Sequence, residues 1–112
     1  MLKKCGLTGK DIDMIIYTGT LPEYATPVSA LHVHNAIGGK RRCFCHDMNV
    51  NCLGMTYAFD MANRYIATNA EINKILIVGS DTLTCGVNPE NENNYGQFGD
   101  VSCAVICERT EE

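Results

Sequence analysis

The chain has 112 residues, 46% apolar and 20% charged, with 9 Lys+Arg against 13 Asp+Glu for a net charge of −4. That is one domain's worth of chain at most, and its composition excludes a disordered polyelectrolyte. A mildly acidic balance supplies no field for nucleic acid or an anionic membrane, and no apolar run approaches the ~20 residues that span a bilayer.

Seven cysteines would fit a secreted disulfide scaffold, but the count is odd and no Asn-x-Ser/Thr sequon occurs. Met1-Leu2-Lys3-Lys4 has no apolar stretch behind its charges and does not read as a signal peptide. Most of the cysteines fall in apolar, strand-like runs, where a free thiol acts as a small hydrophobe. These features point to a reducing, cytoplasmic compartment.

Along the chain, strand-like and helix-like segments alternate, which predicts an α/β layered fold. Met1 to Lys10 read as the end of a helix and a loop. Met14 to Thr18 form a short continuous apolar run, as a strand covered on both faces does. Thr26 reads as an N-cap with Pro27 opening a helix to about Ile37, and Gly38 as its stop. Arg42 to Val50 read as a strand with Cys43, Cys45 and Asp47 on one face and Phe44, His46 and Met48 on the other.

A second helix is expected over about Leu53 to Thr68, with Ala58, Met61, Ala62, Tyr65 and Ile66 recurring at helical spacing. Ile75 to Val78 form a buried strand that Gly79-Ser80-Asp81 should end. Val87 to Gly99 is an Asn-rich polar loop, Cys103 to Cys107 a last strand, and Glu108, Arg109, Glu111 and Glu112 a charged tail. The order is β-α-β-α-β-loop-β. The first strand has no obvious neighbour, so the chain reads as a piece of something longer.

Chemistry concentrates at Asp47 to Tyr57. Cys52 stands between a strand and a helix, where free N–H groups and the helix dipole favour negative charge. That setting stabilises a thiolate relative to the usual thiol pKa of ~8.5. The same N–H groups can hold the oxyanion formed when the sulfur attacks a thioester carbonyl. The bland alternative for any one of seven cysteines is an apolar filler.

The run Asp47-Met48-Asn49-Val50-Asn51-Cys52-Leu53-Gly54-Met55-Thr56-Tyr57-Ala58 resembles the nucleophile segment of the 3-oxoacyl-[acyl-carrier-protein] synthase III family. The resemblance extends upstream through Asp11-Ile12-Asp13, Ile15-Ile16, Thr18-Gly19-Thr20, Pro27 and Ala30. Downstream it continues through Ile75 to Asp81, Asn88-Pro89 and Phe98-Gly99-Asp100, and so covers essentially the whole chain.

It implies a thiolase-like layered fold, with residues 1–112 a partial N-terminal domain lacking the first strand and the entire C-terminal half. Cys52 would be the acyl-accepting nucleophile and Phe98 a wall of the acyl pocket. The activity implied is condensation of an acyl-CoA primer with malonyl-acyl carrier protein in fatty-acid chain initiation. Acyl-CoA and acyl carrier protein would be partners, with no cofactor and no metal. The catalytic His and Asn would come from the other half, because His32, His34 and His46 match neither position. The family's strand before the nucleophile pairs with its twin across a two-fold axis, so Cys43 to Met48 would be a homodimer seam.

Three positions depart from the family pattern. Leu53 replaces a small residue after the nucleophile, Glu92 stands where an Arg approaches the CoA adenine, and Val101-Ser102-Cys103 replace a Gly-rich turn. A non-catalytic dimerisation module and a related condensing enzyme, of hydroxymethylglutaryl-CoA synthase or polyketide type, are the alternatives.

Other constellations carry less. Cys43 and Cys45 share a strand face from which His46 points away, so they cannot converge with it on a metal. Cys103 and Cys107 share a face about 13 Å apart at ~3.3 Å per residue, too far for a disulfide. Gly38-Gly39-Lys40 lacks phosphate-loop spacing, and Lys40-Arg41-Arg42 read as a solvated loop. Asp60 and Asp81 read as capping or surface residues, and Asp100 as the brace of a turn.

Overall fold

The computed structural model describes residues 1–110, so Glu111 and Glu112 of the expected tail lie outside the described residues. Four strands form one sheet in the order β2-β1-β3-β4. They are β1 (Met14–Thr18), β2 (Phe44–Met48), β3 (Lys74–Thr82) and β4 (Asp100–Glu108). β1 runs parallel to both its neighbours, and β3 and β4 are antiparallel. The first strand therefore does have neighbours: both come from later in the chain and reach it by helical crossovers, as parallel pairing requires.

Helix α1 (Ser29–Ala36) covers one face of the sheet and α2 (Gly54–Thr68) the other. The strand pattern follows from this. Met14 and Ile16 of β1 pack toward Ala58 and Ala62 of α2, whereas Ile15 packs toward Ala30 of α1. A strand with both faces covered is apolar at nearly every step; in β1 the exception is buried Thr18 at its end. Ile12, Ile15, Ile16, Ile72, Ile75 and Ile77 are fully buried, each contributing about 1.5–3 kcal/mol relative to exposure.

Several boundaries differ from the sequence reading. α1 opens at Ser29, not Pro27, and no side chain of its own first turn caps it. Its cap comes from β2: the Asp47 carboxylate accepts the N–H groups of Ser29 at 2.6 Å and Ala30 at 2.8 Å. The Thr26–Pro27 peptide bond ahead of it is cis. β3 does not stop at Gly79 but continues to Thr82, because β4 pairs with it from Lys74↔Glu108 to Thr82↔Asp100.

The polar loop holds a short helix, α3 (Glu92–Tyr95), capped by the Asn91 side chain. Arg109 is not a solvated tail residue. Its guanidinium donates to the Ile66, Asn69 and Ile72 carbonyls and so caps the C-terminal end of α2. The first ten residues form two 3-10 turns, not a helix end.

The predicted division of β2 faces holds: Cys43 and Cys45 join the α1-side core and Met48 the α2-side core. His46 points toward α2, its ring 6.5 Å from that of Tyr65. Its Nε2 is buried with no hydrogen-bond partner. Burial lowers the His46 pKa below its ordinary value, with the Asp47 charge opposing.

A lowered folded-state value means the unfolded chain binds its proton first as pH falls. Stability is full above about 6.5, the ordinary imidazole value, and declines as pH drops from there through the folded value. Urea unfolding midpoints should fall between pH 7.5 and pH 5 in the natural chain, and His46→Leu should flatten that decline. An unchanged slope in the variant would assign it to other groups.

Candidate active site at the turn before α2

The site is built on a row of residues at the C-terminal ends of the parallel strands. Thr18 of β1 lies opposite Gly79 of β3, and Gly79 opposite Cys103 of β4. A Cβ on Gly79 would stand 2.8 Å from Met55 Sδ and 3.2 Å from Cys103 Sγ. The missing side chain is thus what lets α2 and β4 side chains meet over β3. At the next level, a Cβ on Gly54 would fall 1.9 Å from Thr18 Oγ1. The first residue of α2 rests directly on the end of β1, and any larger residue would lift the helix.

Cys52 precedes this contact by two residues. It lies on a 3-10 turn (Asn51–Leu53), so three residues separate it from the end of β2 and α2 begins just beyond it. The Asn49-Val50-Asn51 stretch causes the break. Asn51 adopts φ +50°, a left-handed conformation that Asn tolerates better than most residues. No side chain caps the N-terminus of α2; the Leu53 and Gly54 N–H groups go to the Val50 and Asn51 carbonyls of the turn itself, and the helix dipole still favours negative charge at this end. Cys52 is exposed and opens on a cavity of about 130 Å³ lined by Thr18, Asn51, Gly54, Met55, Gly79, Ser80, Asp81, Val101 and Cys103.

The other six thiols sit differently. Burial, reinforced by neighbouring Cys45, pushes the Cys43 pKa up to about 12, and burial also raises Cys45 and Cys107. Cys5 and Cys85 are exposed but do not line the cavity, and Cys85 Sγ lies 2.8 Å from the Thr82 carbonyl oxygen. Cys103 shares the cavity, mid-strand on β4.

Phe98 is 43% exposed on the segment before β4 and does not line the cavity beside Cys52. No histidine lines it either. The His34 ring Nε2 meets the Lys40 carbonyl at 2.9 Å, and His32 lies against Tyr24 with ring centroids 5.2 Å apart. Glu92 is exposed in the first turn of α3. Among the described residues no cluster of three or more His, Cys, Asp or Glu could hold a metal ion.

The acidic residues act as braces. Asp100 accepts from the Thr84 N–H and hydroxyl, which lower its pKa. Asp60 pairs with Arg64 along α2 at 2.7 Å. Asp81 accepts the Thr20 N–H at 2.6 Å. Met55, Thr18 and Asn49 carried no chemical signal in the sequence. The only cue was the Asn49-x-Asn51 pair, a turn signature.

Residues 46–112 match the family model for 3-oxoacyl-[acyl-carrier-protein (ACP)] synthase III. The chain is 32% identical over 111 residues to the beta-ketoacyl-[acyl-carrier-protein] synthase III of Aliivibrio fischeri. It is 33% identical over 111 residues to that of Clostridium perfringens. Each alignment covers 99% of this chain and 34% of the relative, so the chain spans about a third of the length of the curated relatives it matches. The crystal structure of 3-oxoacyl-[acyl-carrier-protein] synthase III from Aquifex aeolicus superposes with a TM-score of 0.92 at 27% identity, over 99% of this chain and 35% of that one. The layered sheet is therefore thiolase-like, and the chain belongs to the 3-oxoacyl-[acyl-carrier-protein] synthase III family.

Proposed function

We propose that Cys52 is the acyl-accepting nucleophile of a condensing acyltransferase in fatty-acid chain initiation. The observation that carries this is its setting: an exposed thiol on the turn that opens α2, at the mouth of a cavity, with the helix's amide end uncapped. In this reading the sulfur attacks the carbonyl of an acyl-CoA. A new thioester forms on Cys52, the carbon–sulfur bond to CoA breaks, and CoA leaves as the thiol. Negative charge on the attacked oxygen is met by backbone amides.

Residues 1–112 serve in this proposal as part of the N-terminal half of such an enzyme. Decarboxylation of malonyl-acyl carrier protein and carbon–carbon bond formation need a His and an Asn from the other half, so the chain alone completes no cycle. General acid–base assistance by itself commonly contributes ~10²–10⁴-fold. Phe98, just ahead of β4, is the proposed outer wall of the acyl path. Glu92 places a negative charge where CoA phosphate would approach and should weaken that contact. Seven unpaired cysteines support a reducing, cytoplasmic setting. Among the described residues no helix is long and apolar enough to cross a membrane.

Incubation with acetyl-CoA followed by peptide mass spectrometry tests the reading. Acetyl should appear on Cys52 and vanish in Cys52→Ala, and iodoacetamide should consume Cys52 ahead of the six other cysteines. Acetylation elsewhere, or uniform alkylation, would sink it.

One observation favours a second role, homodimerisation through β2. β2 is an edge strand with only β1 beside it. The Phe44 N–H is turned inward to the Asp13 carbonyl, so by alternation the Cys45 and Asp47 backbone groups face outward. An open edge of this kind is a template for a second strand. Light scattering should give twice the chain mass of 12.3 kDa, and Cys45→Pro, which removes an outward N–H, should return it to the single-chain value. A natural chain that scatters as a monomer would refute the seam.

A further inference from the structure

We propose that Asn49 is a positioning residue for Cys52, acting through Thr20 and Asp81, and that it governs attack on a thioester more than access to the thiol. The proposal rests on the acyl-transfer reading above. Three hydrogen bonds in series tie three separate segments together. Asp81, in the wall of the cavity, accepts the Thr20 N–H at 2.6 Å. The Thr20 carbonyl accepts from Asn49 Nδ2 at 3.0 Å. Asn49 Oδ1 then accepts the N–H of Asn51 at 3.1 Å. The series runs from the end of β3, across the segment after β1, to the residue immediately before the nucleophile.

Asn51 holds φ +50°, a conformation that persists in a side-chain-bearing residue only where the surroundings fix it. The turn is closed by backbone bonds from the Leu53 N–H to the Val50 carbonyl and from the Gly54 N–H to the Asn51 carbonyl; among the described residues Asn49 adds the one side-chain bond to it, and the one that ties it to another segment. Without its amide, the Asn51 N–H and the Thr20 carbonyl turn to water and the turn can shift against the sheet. Cys52 then loses its fixed relation to the first turn of α2, whose own place is set by the contact of Gly54 with Thr18.

The two reactions of a thiol respond differently to that loss. Alkylation needs only an accessible sulfur. Attack on a thioester needs the sulfur on the carbonyl carbon while the carbonyl oxygen meets backbone donors, so a small displacement is costly.

The test compares two reagents on one thiol in the 112-residue chain. Iodoacetamide reports access. A small acetyl thioester of N-acetylcysteamine reports acyl transfer: sulfur 52 gains the acetyl carbon, and the reagent's thiol leaves with the proton. Asn49→Ala should slow acetylation of Cys52 about tenfold and leave alkylation within about twofold. Asn49→Asp keeps the acceptor for the Asn51 N–H, turns an oxygen on the Thr20 carbonyl in place of the donor, and adds a charge that slows both reagents alike, so its ratio of acetylation to alkylation should fall between those of the natural chain and Asn49→Ala.

Equal acetylation rates in Asn49→Ala and the natural chain, or a proportional fall in both reactions, would overturn the positioning role while leaving Cys52 as nucleophile. Should Asn49→Ala also open Cys43, Cys45 and Cys107 to alkylation, as an unfolded chain would, Asn49→Asp decides: a ratio of acetylation to alkylation matching the natural chain refutes the role, and a lowered ratio supports it. A natural chain that takes no acetyl at Cys52 removes the acyl-transfer reading and this inference together.

Discussion

The whole site depends on an absence of side chains. α2 comes down onto the sheet because Gly54 has no Cβ to strike Thr18 Oγ1, and Met55 and Cys103 meet over β3 because Gly79 has none either. Further along, Ala58 and Ala62 keep the helix close to the isoleucines of β1 and β3. Close packing makes each added methylene costly. Enlarging Gly54 would therefore tilt the helix as a body, and the turn that carries Cys52 would move with it. The setting of one exposed sulfur is thus coupled to a helix–sheet contact that leaves no room for a Cβ.

The edge strand β2 organises both sides of the sheet. Asp47 and His46 are neighbours in sequence and face opposite layers. Asp47 satisfies the open amides of α1, while His46 lies under α2 with a ring nitrogen left unpaired. One strand supplies the cap of one helix and leads directly into the turn that carries Cys52 before the other. The alternation of a β-strand makes this economy possible. It also means that a one-residue slip of β2 against β1 would uncap α1 and displace Cys52 at once.

Much of this could be read from the residues, and the failures share a cause. Met14 to Thr18 declared itself a two-faced buried strand because its run is almost wholly apolar. Ala58, Met61, Ala62 and Ile66 declared the buried face of α2 by their spacing, whereas Tyr65, grouped with them, is exposed. The family resemblance singled out Cys52, because the run Asp47 to Ala58 around it is continuous in sequence. What stayed hidden came from long-range pairing. α1 begins at Ser29 because its cap is 18 residues away on β2. β3 runs on to Thr82 because β4 returns alongside it. Arg109 looked like a tail because its carbonyl partners belong to a helix end more than 35 residues earlier. Asn49 gave only a turn signal, since its partner Thr20 lies 29 residues back.

The seven thiols show how position sorts one residue type into several roles. Cys43, Cys45 and Cys107 are held protonated by burial and serve as small hydrophobes. Cys5 and Cys85 are exposed but lie on 3-10 turns away from the cavity. Cys103 comes closest to matching Cys52, because both line the same space. It differs in what lies beneath it. Cys103 sits in the middle of β4, paired with Gly79 in the ladder. Cys52 sits where the strand has ended and a helix is starting, at a helix end that no side chain caps. The acyl-transfer role proposed for position 52 therefore rests on the helix that starts beyond it, which position 103 lacks, although the two face the same cavity.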